Sequence, residues 1–465
     1  MLRFVISGRL AAPFFCATAL AMALPTHAAA EENPLHAALG APDALDIHLQ
    51  IRSRSEAIEG QFRPTAARND FLQSFRTILT AEYRAGPIRI GGELRDARGY
   101  AYAQNSSAGV SEIDAVEPLQ AYVALDLANL GGKGATGRLT AGRYTLNLGS
   151  GRLVAAPDFP NMITSYTGAL FDWKSAAKDR LVAFWGMPSL RFPNDADGLR
   201  NERVELDRAR SAVQFFGTSY QRTKLGPISA EAYVFRLVEH DSPAQLTRDR
   251  KLVTIGGRLF RSPAKGKLDF EIEAAHQTGR SHATTAANDT TDLDVDADTV
   301  HAEVGTKFQS SWTPRVVVVF DYASGDDRDA GRYTRFDQLY GAPRSDFGPG
   351  GLFGLVNRSN VISGGARVEV APTSKLDAAV FGRELWLASR TDAFANSGVR
   401  DRLGRQGDFA GTQLEARVRY WIQPNRYRIE SGTALLFKGD FLNRAANAQP
   451  SGDTHYFYLD LSAFF

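Results

Sequence analysis

Cysteine is nearly missing from this 465-residue chain: its only one, Cys16, lies in an apolar segment near the N-terminus. That segment reads as an export signal, with Arg3 and Arg9 ahead of an apolar run from Leu10 to Leu24 and the small residues Ala28-Ala29-Ala30 behind it. Cleavage is expected near Ala30, so that residues 1–30 are signal and residues 31–465 a single domain. The residues before Cys16, Pro13-Phe14-Phe15, are too bulky for a lipoprotein site, and removal rather than lipidation is expected. An exported chain left without a thiol has no disulfide to staple it. It must be held by hydrogen bonds and packing, which suits a large barrel better than a small stapled domain.

Long apolar runs are also absent. No uninterrupted stretch of about eighteen apolar residues follows the signal, which excludes membrane-spanning helices. Yet 43% of the residues are hydrophobic and 10% aromatic, so the apolar side chains are spread in short pieces. A surplus of charge is missing too: without Arg3 and Arg9, the 54 Lys plus Arg come level with the 52 Asp plus Glu. Net charge therefore points to no partner, and no nucleic acid is expected. Neither a phosphate loop ending in Lys-Ser or Lys-Thr nor a helix with paired His occurs. No cofactor and no metal centre is expected, and any transport is powered elsewhere or runs down a gradient.

What is present is alternation. From Leu45 to Arg54 the odd positions Leu45, Ile47, Leu49 and Ile51 are apolar, and Asp46, His48, Gln50, Arg52 and Arg54 are polar. A strand puts these sets on opposite faces. At the C-terminus Phe457, Leu459, Leu461, Ala463 and Phe465 share one face, and Tyr456, Tyr458, Asp460 and Ser462 the other. A last strand closing on Phe resembles the end of outer-membrane barrels. The pattern predicts strands near 44–58, 70–84, 87–100, 116–128, 137–149, 163–175, 178–189, 209–223, 227–240, 250–262, 266–279, 297–310, 314–325, 358–371, 374–388, 409–422, 426–439 and 454–465. The count is even, as bacterial single-chain barrels require.

The connectors alternate as well. Ala85-Gly86-Pro87, Leu225-Gly226-Pro227, Pro263-Ala264-Lys265-Gly266, Ala371-Pro372-Thr373 and Gln423-Pro424-Asn425 are tight turns. The stretches 101–115, 190–208, 280–296, 326–357 and 389–408 are long and rich in Gly, Asp, Asn and Ser. A soluble sandwich also alternates, but gives no reason for one set of connectors to be short and the other long. The expected fold is all-β: an antiparallel transmembrane barrel of about eighteen strands, integral to a bacterial outer membrane, with periplasmic termini and turns and long outer loops.

If the apolar alternates face lipid, the polar alternates line the lumen. Reading that parity places Arg52, Arg54, Arg76, Arg89, Arg258, Arg367, Arg417 and Arg419 on the inner wall, interleaved with Glu82, Glu271, Glu303, Glu369 and other acids. Guanidinium groups on many strands would concentrate anions and hold carboxylates in bidentate contacts. The plainer reading of each single residue is a structural ion pair bracing a wide barrel.

Several local motifs resemble those of the alginate export family. Gly91-Gly92-Glu93-Leu94-Arg95-Asp96-Ala97-Arg98-Gly99-Tyr100 resembles its Gly-Glu-x-x-Asp-x-Arg strand end, and Leu119-Gln120-Ala121-Tyr122-Val123 its Gln-Ala-Tyr strand. Ala141-Gly142-Arg143-Tyr144 with Gly149 and Arg152-Leu153-Val154 is similar to its Gly-Arg-Gln and Gly-x-x-Arg elements. Asn161, Phe171-Asp172-Trp173, Tyr322-Ala323-Ser324-Gly325-Asp326 and Phe336-Asp337-Gln338-Leu339-Tyr340-Gly341 follow in the family's order. The resemblance implies a passive conduit for an anionic, alginate-like exopolysaccharide, with an arginine-rich constriction. Its substrate path would run past Glu93, Arg95, Asp96, Arg98, Arg143, Arg152 and Asp172. Arg143 stands in Gly-Arg-Tyr instead of Gly-Arg-Gln and shares parity with Leu139 and Ala141, so it points inward only across a bulge. Implied partners are outer-membrane lipid, the anionic cargo and periplasmic export components.

Two rivals stay open: an uptake porin for small anions or other solutes, and a barrel enzyme using a Ser-His pair, since His240, His276, His282 and His301 fall near strand ends. No nucleophile motif accompanies those histidines, and no enzyme is expected. The acidic stretch Asp289–Asp298 suits calcium in its carboxylates but lacks the Gly and terminal Glu of a defined calcium loop; it reads as a solvated acidic loop.

Overall fold

The computed structural model describes residues 34–241, 245–329 and 331–465; the expected signal segment lies outside the described residues. Among the described residues twenty strands are formed: β1 (Leu45–Glu59), β2 (Asp70–Ala85), β3 (Ile88–Tyr100), β4 (Asp114–Ala128), β5 (Thr136–Tyr144), β6 (Tyr166–Lys174), β7 (Arg180–Leu190), β8 (Arg208–Ala209), β9 (Val213–Leu225), β10 (Ile228–Glu239), β11 (Lys251–Arg261), β12 (Leu268–Ser281), β13 (Leu293–Lys307), β14 (Arg315–Ala323), β15 (Arg332–Tyr333), β16 (Val361–Thr373), β17 (Leu376–Trp386), β18 (Phe409–Gln423), β19 (Tyr427–Lys438) and β20 (Thr454–Phe464). The two-residue strands β8 and β15 belong to loops. The other eighteen make the wall of a closed antiparallel barrel, each paired with its neighbour in the chain and β1 with β20, Gln50 opposite Phe464 and Glu59 opposite His455. Closure removes both sheet edges, so every wall strand has its backbone paired on two sides. Each of the eighteen expected strands is found.

The tight connectors sit at one end of the barrel, together with the first residues of β1 and the last of β20. Gly86 at φ 60° and Gly226 at φ 66° each precede a proline in a two-residue turn, the left-handed first position that a type II′ hairpin needs. The other end carries the long loops. The outer face shows the apolar alternates to the surroundings: Ile51, Leu79, Ile90, Val123, Ile255, Ile272, Val318 and Leu461 are all exposed. Tyr83, Tyr420 and Tyr427 near the short turns and Phe71, Tyr100 and Phe437 near the loops flank this band. An unbroken apolar belt between aromatic rims is a lipid-facing surface.

Two differences from the sequence reading matter. β5 stops at Tyr144 instead of continuing to 149, because the chain leaves the wall there and turns inward; Leu146 and Leu148 alternate like strand residues but are buried inside the barrel. The inner face is not polar throughout. Near the loop end, Tyr166, Phe215, Phe235, Leu385 and Tyr456 point inward and are buried.

Candidate functional site

The inward apolar residues exist because two loops fill the barrel. Segment 145–165 contributes Leu146, Leu148, Leu153, Val154 and Phe159, and segment 324–360 contributes Phe336, Phe347, Leu352, Phe353, Leu355 and Val356, all in one cluster with the inner wall. Phe215 lies 5.0 Å and Tyr166 5.5 Å from Tyr340 between ring centroids, and Phe353 lies 5.6 Å from Tyr456 of β20. The two loops also pair through their backbones: Ala155 N–H donates to the Tyr340 carbonyl at 3.0 Å and Tyr340 N–H to the Leu153 carbonyl at 3.0 Å. A side chain at Gly341 would overlap the Arg152 carbonyl, so that crossing admits only glycine. Together the loops form an apolar plug across the loop end of the lumen.

Beneath the plug lies the ionic layer that parity predicts. Arg52, Arg54, Arg76, Arg89, Arg258, Arg367, Arg417 and Arg419 all point inward, and each has a carboxylate beside it. Arg54 forks onto Asp460 at 2.5 and 2.8 Å, Arg89 reaches Glu82 at 2.6 Å, and Arg258 meets Glu231 at 2.9 Å and Glu271 at 3.3 Å. Arg367 pairs with Glu303 at 3.0 Å, and Arg417 and Arg419 share Asp377 at 2.7 and 2.8 Å. Bidentate pairs of this kind brace the wall, and the plainer reading holds for most of them one by one.

One group of arginines differs. Segment 158–161 of the plug dips into the ionic layer, and guanidinium groups from β1, β2, β3 and β19 close around it. Arg52 donates to the carbonyls of Asp158 and Phe159 at 2.7 Å each and to Asn161 Oδ1 at 2.6 Å. Arg76 donates to the Asp158 carboxylate at 2.6 Å and to the Pro160 carbonyl at 3.0 Å. The Arg54 guanidinium carbon lies over the Phe159 ring, 3.6 Å from its centroid, Arg95 reaches the Asn161 carbonyl at 3.1 Å, and Arg428 faces the Asp158 carboxylate at 3.4 Å. Burial alone would raise the Asp158 carboxyl; the charges of Arg76, Arg52 and Arg428 outweigh it and hold it well below the usual carboxylate range. Its side chain is nonetheless 43% exposed, while Arg76 and Arg52 behind it are buried, so the carboxylate is the side of the cradle that an anion in the lumen can approach.

The positions named from family motifs scatter. Glu93 and Arg95 face the lumen and pair with each other at 2.5 Å. Asp172 lines it near the short-turn end, paired with Arg180 at 2.8 Å. Arg152 lies in the lumen on the plug, where it binds Glu271 and, at 2.8 Å, Glu273 of the wall and, at 3.1 Å, Asp346 of the second loop. Asp96 and Arg98 do not reach the lumen: they alternate with inward Arg95 and Ala97, share parity with exposed Leu94, and pair with each other at 2.8 Å and with Glu202. Arg143 keeps the outward parity of Leu139 and Ala141 and turns to Glu117 and Asp207 at the loop-end rim.

Sequence reading missed Asp158, the centre of the arginine cradle, and Asp346, which Arg152 and Arg358 share. Neither lies in a periodic segment, so no sequence signal marks them. The acidic stretch runs into β13: just before the strand Asp292 faces Arg280, and within it Asp296 faces Arg332 and Asp298 faces His276. The four histidines near strand ends each face an aspartate: His240 and His282 lie 4.0 Å from Asp249, His276 3.0 Å from Asp298 and His301 2.8 Å from Asp321.

A closed barrel with a lipid belt, a charged lumen and a two-loop plug is an integral outer-membrane channel. Residues 43–453 match the sequence profile described as alginate export, and the chain belongs to that family. No curated protein matches it in sequence. Among solved structures it is similar to Acinetobacter baumannii OccAB1 (12% identity, 91% of this chain and 97% of that one, TM-score 0.58). It is also similar to Pseudomonas aeruginosa OccD3 (OpdP) (12%, 91% and 91%, 0.56) and OccK3 (OpdO) (15%, 90% and 96%, 0.54). At these identities the likeness is one of fold.

Proposed function

We propose that this channel lets an anionic exopolysaccharide of the uronate type leave the cell, passively, through the arginine cradle beneath the plug. The observation that carries the reading is the convergence on the Asp158 carboxylate of Arg76 at 2.6 Å, Arg428 at 3.4 Å and Arg52 at 4.0 Å. Asp158 stands where a uronate carboxylate would stand. A carboxylate polymer entering from the short-turn end exchanges with Asp158, and the plug loses its hold on the wall. The interleaved acids keep each step weak enough to release the chain. Family membership supports a polymer as cargo, supplied by periplasmic export components at the turn end.

One observation favours small anions instead. The structure of Pseudomonas aeruginosa OccK2 (OpdF), similar in fold at 14% identity with a TM-score of 0.54, is of a complex with glucuronate, a single uronate. Liposomes holding the purified barrel and loaded with oligouronates of graded length separate the two. Release of chains several units long, with neutral oligosaccharides of equal length retained, is expected; release of single uronates alone would transfer the function to solute uptake.

A further inference from the structure

At the loop-end rim, away from the cradle, three acids that the channel reading does not use meet in a buried cluster. Asp114 opens β4, Glu117 lies three residues further along the same strand, and Asp207 comes from the 191–212 loop. One carboxylate oxygen from each lies within 4.8 Å of the others, and the three residues are buried, Asp114 and Glu117 completely. Most of their oxygens are accounted for. Glu117 Oε2 accepts from the Asp207 N–H at 2.9 Å and Asp207 Oδ1 from the Phe192 N–H at 2.9 Å. Glu117 Oε1 and Asp207 Oδ2 face Arg143 at 2.5 and 3.5 Å. Arg191, the other cation nearby, donates to Ser111 at 3.1 Å.

Asp114 is the exception. Both of its carboxylate oxygens are buried in this cluster with no hydrogen-bond partner. A buried carboxylate is hydrogen-bonded, neutralised or bound to a cation. Three acids face two guanidinium groups, Arg143 in contact and Arg191 close enough to act on Asp114 through its charge, so the cluster is still one positive charge short. The other carboxylate–histidine groups on the same side of the barrel are unlike it: Asp296 is already paired with Arg332, and Asp249 with Lys251.

We infer that Asp114, Glu117 and Asp207 hold a hard divalent cation, calcium being the probe of choice, which pins the 191–212 loop to the start of β4. All donors are oxygen, without sulfur or imidazole, as hard cations require, and carboxylates from a strand and a loop suit the loose geometry that calcium accepts. The ion supplies the charge that Asp114 lacks and makes a third tie between loop and wall, beside the Glu117–Asp207 hydrogen bond and the Arg143 bridge.

The test is calorimetric calcium titration of the detergent-purified, chelator-stripped full barrel, with folding checked by heat-modifiable gel migration. Asp114→Asn and Asp207→Asn are compared with Asp298→Asn, which alters an exposed acid elsewhere. One calcium per chain is expected, with thermal unfolding raised on binding. Affinity should fall at least tenfold in both site variants and stay unchanged in Asp298→Asn. A folded wild-type barrel that binds no calcium overturns the inference, as does binding that survives both site substitutions or is lost with Asp298→Asn.

Discussion

The Arg76 guanidinium donates to the Asp158 carboxylate at 2.6 Å and to the Asp158 carbonyl at 2.8 Å, so one wall residue grips both the side chain and the backbone of the plug. The grip is electrostatic and closes on a partly exposed carboxylate, which makes it reversible. Asp158→Asn should leave the barrel assembled, weaken the seating of the plug by about 1 kcal/mol and raise the open fraction in single-channel recordings. The depressed carboxyl of Asp158 gives the pH sense. Its contribution is present above the ordinary carboxylate range and is lost only as pH falls through the depressed value. Wild-type openings should therefore not increase between pH 7 and pH 5.

Glu112, in the 101–113 loop, titrates in the opposite sense. Burial first, then the charge of Glu56, raises its carboxyl to about 7, against the Gly109 N–H bond and the charges of Arg191 and Arg54, which lower it. The folded protein then holds a proton that the unfolded chain releases near pH 4, so stability from this group falls as pH rises to about 7 and levels off above. Glu112→Gln should remove that slope and raise neutral-pH stability by about 2–3 kcal/mol, read from thermal unfolding at pH 5 and pH 8.

Arg152 ties the two plug loops to the wall through Glu271, Glu273 and Asp346. Arg152→Ala leaves those carboxylates facing one another without it, a loss of about 3–5 kcal/mol for a buried network. The plug should detach while the wall persists. Limited proteolysis should cut within 145–165 and 324–360 in the variant and spare them in the wild type.

Gly341 tests the crossing of the two loops by shape alone. Gly341→Ala puts a methyl group into the Arg152 carbonyl without changing a charge. More frequent openings with unchanged ion selectivity are expected in planar bilayers, because the cradle itself is untouched.

The wall was legible in the sequence and the plug was not. Alternation and Pro/Gly turns located all eighteen wall strands, since a closed sheet fixes which parity meets lipid. The inward arginines followed from the same parity, as with Arg52 and Arg54 beside exposed Ile51. Leu146 and Leu148 show where this fails: an extended apolar segment packed inside the lumen has the same period as one in the wall, so β5 was expected to run on. Tyr166 and Phe215 were hidden for a related reason, because both faces of their strands are apolar once a plug must be packed. Asp158 lies 82 residues from Arg76, and only the folded register brings them together.

The lipid belt makes a further prediction. Val318, on the outer face of β14, is 63% exposed, and Val318→Arg should cost about 2–4 kcal/mol in a bilayer, as for arginine at the midplane of other barrels. Folding yield into lipid vesicles measures it, and unchanged yield would argue against a lipid-facing site there.

The most direct test of the account is single-channel recording with oligouronate added from the periplasmic side, comparing wild type with the Arg52→Glu, Arg76→Glu double variant. In the wild type, oligouronate should produce transient blockades whose duration grows with chain length and which neutral oligosaccharides do not produce; the double variant should lose them and shift its selectivity toward cations. Equal blockade by charged and neutral sugars, or blockade that survives in the double variant, would contradict passage of a carboxylate polymer through the Arg52–Arg76–Arg428 cradle.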